Sequence, residues 1–313
     1  MIITATPLRV SLLGGNTDFP KYYKKYGGAV LTMAIDKYVY CIITKRFDDE
    51  IRINWSIKEK VNRVSDIKHE IVREAMRMVG VDRGVEITFL SDVPGEGSGL
   101  GSSSSVAVGL LNALHLYKGE QIGAKQLAEE ACCLEIDILK KPIGVQDQYI
   151  AVFGGLNLIK FGKEVSICPI ITDFAKLEAS TMLFYTGITR KSIDILSKMK
   201  LDKKILDRNK EMALEGKKFL EKGDLLSVGG LIDEYWQLKK KLNGAVTNQT
   251  IDTLYYQTID MGAWGGKIAG AGGGGFLLTM SAPERRNAIK EHLACRELPF
   301  RISRDGSKAV FNV

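Results

Sequence analysis

Between Val93 and Leu114 the chain reads VPGEGSGLGSSSSVAVGLLNAL: glycine stands at 95, 97, 99 and 101, serine fills 102–105, and an apolar run follows. Few local folds accept that order. Residues 85–93, VEITFLSDV, are rich in β-branched and aromatic side chains and predict a strand. The apolar run predicts a helix, so the glycines form a strand-to-helix turn. Glycine lets backbone N–H groups approach a ligand with no Cβ in the way. The first helical turn presents unbonded N–H groups, and the two together favour an anion such as phosphate. The serines are expected to cap that turn, and their hydroxyls also suit a phosphate oxygen or Mg2+. A capped helix after a flexible turn would explain one or two serines but not four alternating glycines. Two familiar phosphate loops are excluded. No Gly-Lys-Ser/Thr follows Gly101, and a Gly-x-Gly-x-x-Gly count from Gly95 or Gly97 ends on Leu100 or Ser102.

Strand and helix signals alternate along the rest of the chain. YVYCIITKR (38–46) predicts a strand. SDIKHEIVREAMRMVG (65–80) predicts a helix, with Ser65 or Asp66 as N-cap and Gly80 as C-cap. AKQLAEEACCLEIDILKK predicts a second helix, stopped by Pro142, and GGLNLIKFG with EVSICPI a hairpin. A buried strand, STMLFYTG, opens the second half. Two long charged helices follow, then the glycine-rich GGKIAGAGGGGFLLTM, a helix over 283–293 and a closing strand. The economical reading is an α+β chain of two lobes, 1–176 and 177–313.

With 45% apolar and 26% charged residues among 313, the chain has a normal globular composition. No stretch reaches the roughly 18 uncharged apolar residues of a membrane span, and the N-terminus lacks a basic region or cleavage site, so no membrane or secretory role is expected. Five cysteines without a CxxC pair argue for a reducing, cytoplasmic setting, and His69, His115 and His292 share no ligand spacing. The net charge of +7 is spread over short lysine clusters rather than an aromatic-interleaved stripe. This fits attraction of small polyanions better than nucleic-acid binding.

PGEGSGLGSSSS resembles the central motif of the GHMP kinases (galactokinase, homoserine kinase, mevalonate kinase and phosphomevalonate kinase). TPLRVSLLGGNTDF (6–19) is similar to that superfamily's N-terminal sugar-kinase signature, and GGKIAGAGGGGFLLTM (265–280) to its third motif. Three motifs in order span nearly the whole chain. The resemblance implies a two-lobed GHMP kinase fold, with an N-terminal lobe like domain 2 of ribosomal protein S5 and a ferredoxin-like C-terminal lobe. It implies ATP as phosphoryl donor, Mg2+ as cofactor and a small-molecule acceptor; a homodimer is the one assembly expected.

Carried over residue by residue, the resemblance makes Asp147, in GVQDQ, the base for the acceptor hydroxyl. Arg9 is its partner and a counter-charge for the transferring group. Pro94, Gly95, Gly97, Ser98, Gly99, Leu100, Gly101, Ser102, Ser103 and Ser104 form the ATP loop. Glu135 and Ser103, with Ser102 as the alternative, hold the metal, and Asp18 binds sugar hydroxyls beside Gly15, Asn16 and Thr17. Galactokinases have Gly-Glu-His-Thr-Asp where this chain has Gly14-Gly15-Asn16-Thr17-Asp18. This departure, with QDQYIAVFGGLNLIKF, TGITRKSIDIL and GAWGGKIAGAGGGGF, instead resembles the heptose 7-phosphate kinases. These phosphorylate the anomeric hydroxyl of D-glycero-D-manno-heptose 7-phosphate for nucleotide-heptose synthesis. An acceptor that already carries phosphate needs further cations, for which Arg190 and Lys239 or Lys240 are the candidates; Lys267 is expected to reach a phosphate from the third motif. Gly270, Gly272, Gly273 and Gly274 are expected to pack the third motif against the central loop, Gly272 and Gly273 also facing the acceptor. A fucose- or galactose-like sugar, a mevalonate-type alcohol, or a non-catalytic sugar and ATP sensor remain the alternatives.

Overall fold

The computed structural model describes residues 1–95, 97–190 and 192–313. Strand β1 (Ile2–Leu13) runs antiparallel to β2 (Gly28–Lys45), with the short helix α1 (Pro20–Tyr26) between them. Residues 28–35 of β2 are all buried. Beyond them buried and part-exposed residues mostly alternate, so the strand passes from the middle of the molecule to a one-sided sheet. Hairpin β3 (Ile51–Asn54) and β4 (Lys58–Val61) leads through α2 (Glu70–Val79) to β5 (Val85–Ser91), which lies parallel to β3 and antiparallel to the outer half of β2. The glycine turn then enters α3 (Ser102–Tyr117). After it come α4 (Ala124–Cys132), α5 (Gln146–Phe153) and the hairpin β6 (Leu156–Phe161) with β7 (Ser166–Pro169). β6 pairs with the inner half of β2, so one long strand carries two different neighbours along one edge. The fully buried Leu110, Leu111 and Leu114 of α3 share a core with Val72 and Met76 of α2 and with Ile43, Ile51 and Ile87 of the sheet. Truncating one such leucine to alanine typically costs about 2–5 kcal/mol.

The second lobe follows α6 (Phe174–Ala179). Strand β8 (Thr181–Tyr185) leads to α7 (Ser192–Leu196), the long α8 (Lys203–Lys222) and α9 (Leu225–Leu242), and then α10 (Gln249–Asp260). β9 (Ala263–Ile268), β10 (Phe276–Ser281) and α11 (Arg286–Leu293) complete it. The sheet order is β8-β10-β9, with Glu297 bridging Phe184 on the free side of β8. That is the ferredoxin-like arrangement, its fourth strand reduced to one bridge. The last strand, β11 (Lys308–Asn312), leaves this lobe and pairs with β1. Leu8, Val10, Leu12 and Leu13 of β1 pack with Met212 and Ala213 of α8, Ile232 of α9 and Leu278 of β10, joining the two lobes by a shared core.

Three local expectations need correction. Helix α2 begins at Glu70, not after Ser65 or Asp66. The Glu59 carboxylate accepts Lys68 N at 2.6 Å and His69 N at 3.1 Å, and His69 Nδ1 caps Val72 N at 3.4 Å. The helix before Pro142 is not uniform: after Cys132 it widens into a π turn over Cys133–Ile138. The serines of α3 do not cap it; Gly101, at φ +82°, is the N-cap and offers no side chain. The serine hydroxyls are spent elsewhere, as described next.

Candidate active site

A cleft of about 570 Å³ lies between the lobes, under the glycine turn. Arg9 enters it from β1, just past a register shift at Pro7/Leu8, with its backbone N–H donating to Leu100 O at 2.9 Å. Its guanidinium grips Asp147 in the first turn of α5, Nε to Oδ1 at 2.7 Å and Nη2 to Oδ2 at 2.5 Å, while Nη1 donates to Gly99 O at 2.6 Å. A bidentate fork of this kind fixes the orientation of both partners. One arginine thus ties the carboxylate to the glycine turn.

Asp18 lies beside this pair. Its Oδ2 accepts Gln146 N at 3.2 Å, and a Cβ at Gly144 would stand 1.9 Å from that oxygen, so only glycine permits the approach. Burial first, and then the charge of Asp147, raise the Asp18 carboxyl to about 6. Asn16 holds a left-handed backbone at φ 71°, which Asn tolerates better than most residues. Four buried polar atoms on this wall, Ser11 Oγ, Asn16 Nδ2, Asp18 Oδ1 and Gln146 Oε1, have no partner among the described residues. Buried polar groups are nearly always paired, so four such atoms on one wall leave donors and acceptors open to a polar ligand.

Across the cleft, Glu135 is fully buried on the π turn. Its Oε1 accepts Ser103 Oγ at 2.7 Å and Lys141 Nζ at 3.2 Å; Oε2 accepts Ser104 Oγ and Gln148 Nε2, each at 2.6 Å. Ser102 Oγ meets Ser98 Oγ at 3.1 Å, and Ser105 Oγ donates to Pro7 O at 2.9 Å. The first-turn N–H groups of α3 therefore face the cleft without a serine cap. A π turn inserted in a helix frequently marks a functional site; here it carries the acidic residue to the serines.

Three cations of the second lobe converge nearby. Lys267 of β9 donates to Leu12 O at 2.8 Å and lies 4.4 Å from the Tyr235 ring centre. Lys239 of α9 donates to Gly270 O, and Arg190 Nε to Gly272 O. Burial, then Arg190 and Arg9, bring Lys239 down to about 7. Burial, then Lys239 and Arg9, depress Lys267 well below the ordinary lysine range; burial and Arg9 bring Arg190 to about 10. Neither lysine pairs with a carboxylate among the described residues.

The structure gathers most residues singled out in the sequence. Gly95, Gly97, Ser98, Gly99, Gly101, Ser102, Ser103 and Ser104 line the cleft, as do Gly15, Asn16, Asp18 and Arg190. Others lie off it. Pro94 is exposed outside, and Leu100 is buried in the inter-lobe core. Thr17 Oγ1 is used within the fold: its one proton lies between Gly14 O at 2.7 Å and Ala29 O at 2.9 Å, and it accepts from Ala29 N at 3.1 Å. Lys239, Gly272 and Gly273 stand behind the lining, and Lys240 points among the Trp236, Tyr255 and Tyr256 rings. Sequence reasoning missed Ser11, Lys141, Gln146 and Tyr235 as lining residues. Ser11 was findable, because it follows Arg9 by two residues and shares its strand face; Lys141 and Tyr235 carry no such signal.

Comparison with known proteins shows the family of the chain. The family model for the GHMP kinases N terminal domain matches residues 65–155, and that for the GHMP kinases C terminal matches residues 217–299. D-glycero-alpha-D-manno-heptose 7-phosphate kinase of Campylobacter jejuni is 34% identical, with 92% of each chain covered. Among solved structures, a D-glycero-D-manno-heptose 1-phosphate kinase from Bacteroides thetaiotaomicron superposes with a TM-score of 0.84 at 26% identity over 99% of both chains. A putative sugar kinase from Campylobacter jejuni gives 0.81 at 30%, covering 98% of this chain and 97% of that one. With both family models matched in order and a full-length relative above 30% identity, the chain belongs to the GHMP kinases.

Proposed function

We propose that this GHMP kinase transfers the γ-phosphoryl group of ATP to the anomeric hydroxyl of D-glycero-D-manno-heptose 7-phosphate, giving the 1,7-bisphosphate. The observation that carries a sugar acceptor is the set of unpartnered buried atoms on Ser11, Asn16, Asp18 and Gln146, grouped beside Asp147. A polyol would satisfy all four. A phosphorylated acceptor is supported by Arg190 and Lys267, which line the cleft from the second lobe, with Lys239 behind them; neither lysine has a carboxylate partner among the described residues. Burial disfavours the charged forms of both lysines, and an incoming phosphate would favour them. The names of the two heptose kinases differ in where the acceptor carries its phosphate; the 7-phosphate follows the relative with the higher identity.

In this reading Asp147 accepts the proton of the anomeric hydroxyl, the freed oxygen attacks the γ-phosphorus of ATP, and the β–γ bond breaks to release ADP. Arg9 holds Asp147 in place and lends positive charge as the phosphoryl group transfers. Asp18 and Asn16 orient the sugar, and the uncapped start of α3 with Gly99 and Gly101 receives the nucleotide phosphates. Glu135 and Ser103 fit a Mg2+ ion. They place one carboxylate and one hydroxyl side by side, and such an ion completes its shell with water and phosphate oxygens. Mg2+ bound there would neutralise charge on the nucleotide phosphates. The lobes are proposed to divide near residue 177, with β11 serving the first.

The test measures ADP release with the heptose 7-phosphate, heptose 1-phosphate, free heptose, fucose, galactose and mevalonate as acceptors. The 7-phosphate should give the highest kcat/KM. Arg190→Ala should lower it by about tenfold or more, the value of a charged hydrogen bond, and should change the KM for ATP much less. Equal use of free and phosphorylated sugars would remove the phosphate pocket from the account.

A further inference from the structure

Lys141 has no role in the scheme above, yet it lies at its electrostatic centre. Lys140, left-handed at φ 53°, turns the chain after the π turn, and Lys141 N then donates to Glu135 O at 2.9 Å. The side chain folds back into the cleft, 9% exposed, and its ammonium donates to Ser103 Oγ at 3.0 Å and Glu135 Oε1 at 3.2 Å. Glu70 Oε1, at the start of α2, lies 3.7 Å away. The ammonium therefore engages the same two oxygens that would ligate a divalent cation.

We infer that Lys141 is a tethered counter-cation: it holds Glu135 and Ser103 while no metal is bound, and contacts the nucleotide phosphates when a divalent cation takes those oxygens. This inference rests on the cleft binding ATP and is independent of the acceptor. Two cations cannot share one carboxylate oxygen without strong repulsion in a site this buried. The ammonium must move as the metal arrives. Glu70 is half in solvent, whereas the nucleotide brings several anionic oxygens into the cleft that Lys141 already lines. Lysine suits this task, being a compact charge on a flexible stem with three donors. Metal and lysine would then compete for Glu135 before the nucleotide binds and cooperate on phosphate afterwards. A merely structural lysine would lack the second effect, contact with the nucleotide phosphates.

The two halves predict changes of opposite sign in Lys141→Met. Mn2+ titrated without nucleotide and followed by electron paramagnetic resonance should bind the variant several-fold more tightly than wild type, because its competitor is gone. ATP titrated calorimetrically in EDTA should bind about tenfold more weakly, the cost of one charge-assisted contact. Lys141→Arg, which keeps the charge, should retain most of the metal-free ATP affinity and guards against misfolding of the methionine variant. Weaker or unchanged Mn2+ binding in Lys141→Met would overturn the inference. So would unchanged metal-free ATP affinity, or no metal-free binding by a wild type that binds ATP with Mg2+. Failure of wild type to bind ATP under any condition would instead refute the nucleotide reading of the cleft.

Discussion

Asp147 and Asp18 are neighbouring carboxylates given different surroundings. Asp147 has both oxygens gripped by Arg9; Asp18 is buried with Oδ1 unpartnered. In the proposed scheme proton acceptance falls to Asp147, held beside the counter-charge of Arg9, and acceptor binding to Asp18. Asp147→Asn preserves the shape and removes the base. It should lower kcat by about a thousandfold, within the usual range for general-base loss, and leave ATP affinity within a few-fold by calorimetry. Near-normal turnover would take Asp147 out of the base role. Asp18 makes a separate prediction about pH. Its folded carboxyl titrates near 6 against 3.8 when unperturbed, so the folded state holds more protons between those values and stability falls as pH rises from one to the other. Asp18→Asn removes the penalty. It should stabilise the ligand-free protein by about 2–3 kcal/mol at pH 7.5 and much less at pH 4, measured as the difference in thermal unfolding. A pH-independent difference would contradict the burial account.

The elements show how far the sequence could be read. Most strands and helices follow from hydrophobic periodicity, and α5 with its GVQDQ segment lies against Arg9 138 positions away. What escaped were choices made by distant partners. Glu59, on β4, binds the N–H groups of Lys68 and His69 and so moves the start of α2 past its local cap signals. Glu135 draws Ser103 and Ser104 away from capping, and the π turn that delivers it has no periodic signature. Lys141 reaches the site through a left-handed residue that is not glycine, which composition does not announce. The alternating glycines also prove unequal. A Cβ at Gly99, where φ is +76°, would lie 2.5 Å from Ala269 O in the third motif, while one at Gly95 meets nothing within 4 Å. Gly99→Ala should therefore lose about 2–3 kcal/mol from backbone strain and the clash, several degrees in Tm. Gly95→Ala should unfold as wild type. The same Tm for both variants would mean that the two glycine loops do not need their close contact.

At the scale of the whole molecule, the cleft exists because two sheets share the core around β1. Arg9 and Ser11 face the site from that strand, and its leucines bind α8, α9 and β10 beneath it. The first lobe supplies the glycine turn, Glu135 and Asp147; the second supplies Arg190, Lys267 and the loop that meets Gly99. An acceptor bound between them would touch both, which suits a substrate with hydroxyls at one end and phosphate at the other. The most direct test of this arrangement is phosphorus NMR of the product formed from ATP, Mg2+ and D-glycero-D-manno-heptose 7-phosphate. The expected product is a sugar bisphosphate with its new phosphorus coupled to the anomeric proton, appearing in step with ADP. A new phosphate on another carbon, or ADP with inorganic phosphate and unchanged heptose 7-phosphate, would contradict it.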